Sequence, residues 1–121
     1  MIRPRTLWRL VLVPCLWLPG PVTFAAPSGG DLLRACELAL AGGFSGIEGR
    51  MCTWYVTPCD CDPATNPEIP RVCLPAAVTT ELLARKVVTG LAAQPELQLQ
   101  DADMAAALIL SRIYHCTDEA R

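Results

Sequence analysis

Histidine is nearly missing from this 121-residue chain: there is one, His115, next to Cys116. Nucleophilic catalysis by cysteine needs an imidazole beside the thiolate and usually a third group to orient it. His115 adjoins Cys116 at the end of a helix, where neighbouring side chains diverge, so it reads as a surface residue favoured by the helix C-terminus. Hydrolase chemistry is excluded, and no catalytic residue is expected. Paired CxxC knuckles are missing too. The one close cysteine pair, Cys59-Asp60-Cys61, stands in a proline-rich loop, a poor match to zinc spacing. No metal or cofactor is therefore expected. There is no internal repeat, no low-complexity tract and no sign of a second domain.

Charge is distributed unevenly. Arg3, Arg5 and Arg9 form a basic start, Leu10 to Leu18 is mostly apolar, and Thr23-Phe24-Ala25 places a small residue at a cleavage point. This is the pattern of a secretory signal peptide over residues 1–25, with cleavage after Ala25 or Ala26. The apolar run is too short to span a bilayer comfortably. A lipoprotein reading around Cys15 needs a small residue where Pro14 stands. Residues 26–121 keep seven Lys+Arg against twelve Asp+Glu, a net charge of −5. That balance argues against nucleic acid and anionic membranes as partners, and no stable membrane insertion is expected after cleavage.

The remaining 96 or so residues suffice for one domain, but a domain of this size buries only about 60 to 65% of its unfolded surface. Its core needs reinforcement. Six cysteines remain after processing, Cys36, Cys52, Cys59, Cys61, Cys73 and Cys116, and an even number in a small exported chain reads first as disulfides formed in an oxidising compartment such as a periplasm.

The hydrophobic periodicity predicts four helices, an all-α, disulfide-stapled four-helix bundle. The first covers Asp31 to Ala41, with Leu32, Cys36, Ala39 and Leu40 on one stripe, closed by Gly42-Gly43. Ser45-Gly-Ile-Glu48 fits a capping box for a second helix running to about Val56, where Pro58 stops it. Thr79 caps a third helix from Thr80, with Ala84, Val87, Val88 and Leu91 on one face, and Pro95 ends it. The fourth starts at about Asp101, capped by Gln100 or Asp101, and is apolar nearly all round from Met104 to Leu110.

Short connections make neighbouring helices antiparallel. That geometry places Cys36 near Cys52 and Cys73 near Cys116, which leaves Cys59 and Cys61 to pair with each other or to cross-link the loop elsewhere. Six cysteines allow fifteen full pairings, and the sequence does not choose among them. Closing about 40 residues is worth on the order of 4 kcal/mol and about 15 residues on the order of 3 kcal/mol in the loop-closure picture.

Between the second and third helices, Thr57 to Pro70 has four prolines, no helical period, and only acidic charges: Asp60, Asp62 and Glu68. Trp54 and Tyr55, just before it, read as core and rim residues, although their place beside the acidic loop keeps a contact role open.

An ordered set of short motifs carries a resemblance. Leu32-Leu33 with Cys36, the run Met51-Cys52-Thr53-Trp54-Tyr55-Val56, Val72-Cys73-Leu74-Pro75, Val78-Thr79, Leu91 with Pro95-Glu96, and the closing Tyr114-His115-Cys116 together resemble the Rap/Tai family of immunity proteins. The likeness covers nearly all of residues 26–121. Trp54 stands where that family has glycine, Leu82 where glutamine is common and His115 where it has proline, and the Cys59/Cys61 loop is additional.

The resemblance implies a small all-helical periplasmic protein, often a homodimer, that binds and blocks a peptidoglycan amidase delivered by a type VI secretion system. It implies an inhibitor and not an enzyme. On that reading the loop from Thr57 to Pro70 is the inserting element, and Trp54, Tyr55, Asp60, Asp62 and Glu68 are the partner-binding residues. The alternative is a small exported thiol- or metal-handling protein using Cys59, Cys61 and His115.

Overall fold

The computed structural model describes residue 20, residues 25–57 and residues 68–117. The signal-peptide expectation falls almost wholly outside them, as do Cys59, Asp60, Cys61 and Asp62. Four α-helices make up the architecture of the described residues: α1 Gly29–Gly42, α2 Ile47–Val56, α3 Thr80–Ala93 and α4 Ala102–Ile113, with a 3-10 turn at Pro95–Leu99 between the last two. No strand occurs among the described residues. The all-α, four-helix expectation holds.

α1 starts two residues earlier than the periodicity predicts. Ser28 and Asp31 form a reciprocal capping box: the Asp31 N–H donates to Ser28 Oγ at 3.1 Å, and the Ser28 N–H donates to Asp31 Oδ2 at 2.9 Å. These bonds satisfy two N–H groups that a helix start leaves without partners, and they hold Gly29 and Gly30 in the first turn despite their poor helix propensity. At the other end Gly43 takes φ +103°, a region open to glycine, and donates its N–H to the Ala39 carbonyl at 2.8 Å.

The box expected at Ser45 does not form. The N-cap of α2 is Gly46, with no side-chain cap bond. The reason lies in the turn: the backbone of Phe44 lies so close over Gly49 that a Cβ there would overlap it. This path carries the chain over the first turn of α2 and leaves Ser45 outside the cap position.

Thr79 caps α3 as expected, its Oγ1 accepting from the Leu82 N–H at 3.2 Å. Pro95 ends α3 and opens the 3-10 turn, where Gln98 Nε2 donates to the Leu91 carbonyl at 2.9 Å and satisfies part of the helix C-terminus. Asp101 is the N-cap of α4 by position, without a side-chain bond.

Leu32, Cys36, Cys52, Val56, Leu83, Val87, Leu91 and Leu110 are buried in one core, and no polar or charged residue is buried among the described residues. Small residues on α4, Ala102, Ala105, Ala106 and Ala107, let the other elements approach it closely. The start of α1 is clasped to the start of α4: the Gly29 N–H donates to the Gln100 carbonyl at 2.7 Å, and the Ala102 N–H to the Pro27 carbonyl at 2.9 Å. The sequence gives no hint of this bridge.

Among the described residues, two disulfides lock the bundle. Cys36 and Cys52 join α1 to α2 with Cα atoms 4.9 Å apart, and Cys73 and Cys116 join the segment before α3 to the chain after α4 with Cα atoms 5.0 Å apart. Both pairings are those that antiparallel helices predict. Beside the second bridge the Cys73 N–H donates to the Tyr114 carbonyl at 2.9 Å, so the two chain segments are tied by backbone as well as sulfur.

Candidate partner-binding site

α2 is apolar on two opposite sides, which makes it the candidate contact element. Gly49, Cys52 and Val56 face the core and are buried. Ile47 and Trp54, seven residues apart and therefore nearly aligned along the helix, face solvent and are 83% and 77% exposed. Arg50 lies exposed between them, and Met51 is half-buried at the edge of the same stripe. Trp54 is therefore not the core residue that composition suggests. The Cys36–Cys52 bridge fixes which side of α2 faces inward, and a helix advances about 100° per residue, so a residue two positions beyond Cys52 points outward.

Tyr55 is half-buried and packs against the core, as a rim residue should. The end of α2 is further tied down by threonine hydroxyls: Thr53 Oγ1 donates to the Gly49 carbonyl at 2.8 Å, and Thr57 Oγ1 donates to the Thr53 carbonyl. Such bonds to the carbonyl four residues back are typical of threonine inside helices. They orient the point at which the chain leaves α2 for the acidic loop. Of that loop's expected contact residues, Glu68 is described and exposed, while Asp60 and Asp62 lie outside the described residues.

Sequence reasoning missed Ile47 and Arg50. The signal was available, since Ile47 and Trp54 are one heptad apart and both lie opposite the Cys52–Val56 side.

Of the residues named for the thiol- and metal-handling alternative, His115 alone lies among the described residues. Cys73 and Cys116 are joined to each other, and His115 beside them is exposed. A coordinating thiolate cannot be supplied by a sulfur held in a disulfide. Cys59 and Cys61 lie outside the described residues.

No curated protein and no solved structure matches the chain. The profile of one protein family does match, that of the Rap1a immunity proteins, over residues 28–116. The matched span begins at the Ser28 cap of α1 and ends at Cys116, so it takes in all four helices and both disulfides described above. With that match over most of its length, the chain belongs to the family of Rap1a immunity proteins.

Proposed function

We propose that this protein is exported to the periplasm, where it binds and blocks a peptidoglycan amidase effector of a type VI secretion system. It acts as a stoichiometric inhibitor without chemistry of its own. The observation that carries the binding surface is the outward stripe of α2. An exposed tryptophan and isoleucine on a helix whose other side is held by a buried disulfide make a preorganised, low-entropy anchor.

Trp54 and Ile47 supply apolar contact area, Arg50 a charge between them, and Tyr55 the support at the helix end. The acidic stretch that follows in sequence, with Asp60, Asp62 and Glu68, supplies the contacts to the effector's cleft in this reading. Its prolines lower the ordering needed on binding.

The test is capture of a hydrolase by this protein, sought first among the products of neighbouring genes. The protein should form a stable complex with that hydrolase and stop its release of peptide from peptidoglycan. Trp54→Ala should weaken the complex. A Trp54→Ala protein that inhibits as well as the parent would remove α2 from the interface.

A further inference from the structure

A second surface of distinct chemistry lies on the other pair of helices. α3 and α4 enclose an open groove of about 440 Å³ whose floor is Gly90 and Ile109 and whose rim carries Arg85, Lys86, Arg112 and Ile113. The floor is low because the helices meet there: a Cβ on Gly90 would lie 2.8 Å from the Ile109 side chain. Ile113 stands 43% exposed at the edge.

The charges at this groove are unbalanced. Among the described residues there are six lysines and arginines, and three of them line this one feature, with no carboxylate among the lining residues. Arg112 Nη1 donates to the neutral Gln94 Oε1 at 2.9 Å, and Lys86 Nζ lies 5.9 Å from the centre of the Tyr114 ring. Arg85 pairs with Glu81 at 2.8 Å, but both side chains are more than half exposed, and such a pair exchanges partners at little cost.

We infer that this groove binds a short acidic segment of a protein partner, with an aliphatic side chain of that segment resting on Ile109 and Ile113 and its carboxylates on Lys86, Arg85 and Arg112. Charge complementarity selects the anion, and the apolar floor selects a peptide over a simple salt. The remainder of the chain argues against a continuous anionic surface. Residues 26–121 carry a net charge of −5, so an extended bilayer of acidic lipid or a long nucleic acid would meet net repulsion from the chain as a whole. A short segment feels mainly the local cations, because charges beyond about 10 Å are screened at ordinary salt.

The test is independent of any effector. The ¹⁵N-labelled, disulfide-oxidised protein is titrated with acetyl-Glu-Asp-Glu-Leu-Asp-Glu-amide, with its lysine counterpart, and with phosphatidylglycerol vesicles. The acidic peptide should shift the Thr89, Gly90, Ile109 and Ile113 amides saturably. The double variant Lys86→Glu/Arg112→Glu should weaken binding by about tenfold or more. The single Arg112→Gln variant, at an exposed position, should weaken it less while leaving the spectrum otherwise unchanged. Shifts scattered over the molecule, an equal response to the lysine peptide, or vesicles engaging these amides in place of the peptide would each overturn the assignment.

Discussion

Cys52 and Trp54 are two residues apart on α2 and point to opposite sides of it: the Cys52 sulfur is sealed in the core against Cys36, while Trp54 is 77% exposed. One residue fixes the helix, and the other is presented by it. The division predicts that stability and recognition separate cleanly at these two positions. Trp54→Ala should change the unfolding free energy by no more than about 0.5 kcal/mol, as for surface positions generally. It should weaken effector binding by about 2 kcal/mol or more, as removal of an interface tryptophan does. Chemical denaturation and calorimetric titration of the same variant measure both.

The two disulfides differ in loop length and in burial, and the two effects oppose each other. Loop closure favours the bridge spanning 43 residues over the one spanning 16, by about 1 kcal/mol. Cys36 and Cys52 are both fully buried, however, so their replacement by alanine also leaves space in the core, at a further cost of about 1 to 2 kcal/mol. Burial should win. Cys36→Ala/Cys52→Ala is expected to lower the melting midpoint at least as far as Cys73→Ala/Cys116→Ala, as measured by scanning calorimetry.

Gly49→Ala tests how the anchor is positioned. In an exposed helix this change stabilises, but here the added Cβ overlaps the Phe44 backbone, which cannot yield without moving the α1–α2 turn. Destabilisation of about 1 to 3 kcal/mol is expected, with weaker effector binding than the stability loss alone explains. Unfolding by urea and binding at a temperature where the variant is folded separate the two consequences.

Acid should act on the α1 cap. The hydrogen bonds from the Ser28 backbone and hydroxyl hold the Asp31 carboxyl below its ordinary value of 3.8. A group whose folded pKa is depressed stabilises the fold above its unfolded pKa and loses that contribution as pH falls through the folded value. Asp31→Asn should therefore be less stable than the parent at neutral pH, with the difference shrinking below about pH 4. Melting curves across the acid range provide the check.

Much of the fold was legible because its signals are local. Thr79 before an amphipathic run, Pro95 after it, and the glycines at 42 and 43 mark helix ends by backbone chemistry alone, and antiparallel packing then brings the right cysteines together. What failed depended on tertiary detail. Ser45 has the spacing of a capping box, but the close passage of Phe44 over Gly49 moves the cap to Gly46. The true box, at Ser28, uses aspartate where the usual pattern has glutamate. Large aromatics are mostly buried, a preference that points Trp54 to the core and that the disulfide's choice of the inward face overrides. The clasp between Gly29 and Gln100 joins residues distant in sequence and has no local signature.

The central claim is that this family member neutralises a partner enzyme through the outer face of α2. The most direct measurement is the rate of peptidoglycan hydrolysis by a type VI amidase effector, sought first at neighbouring loci, as the protein is added. Inhibition should be complete near one equivalent of the parent and should be lost at the same concentration with Ile47→Ala/Trp54→Ala. Equal inhibition by that double variant, or an amidase unaffected by the parent at any ratio, would contradict the account.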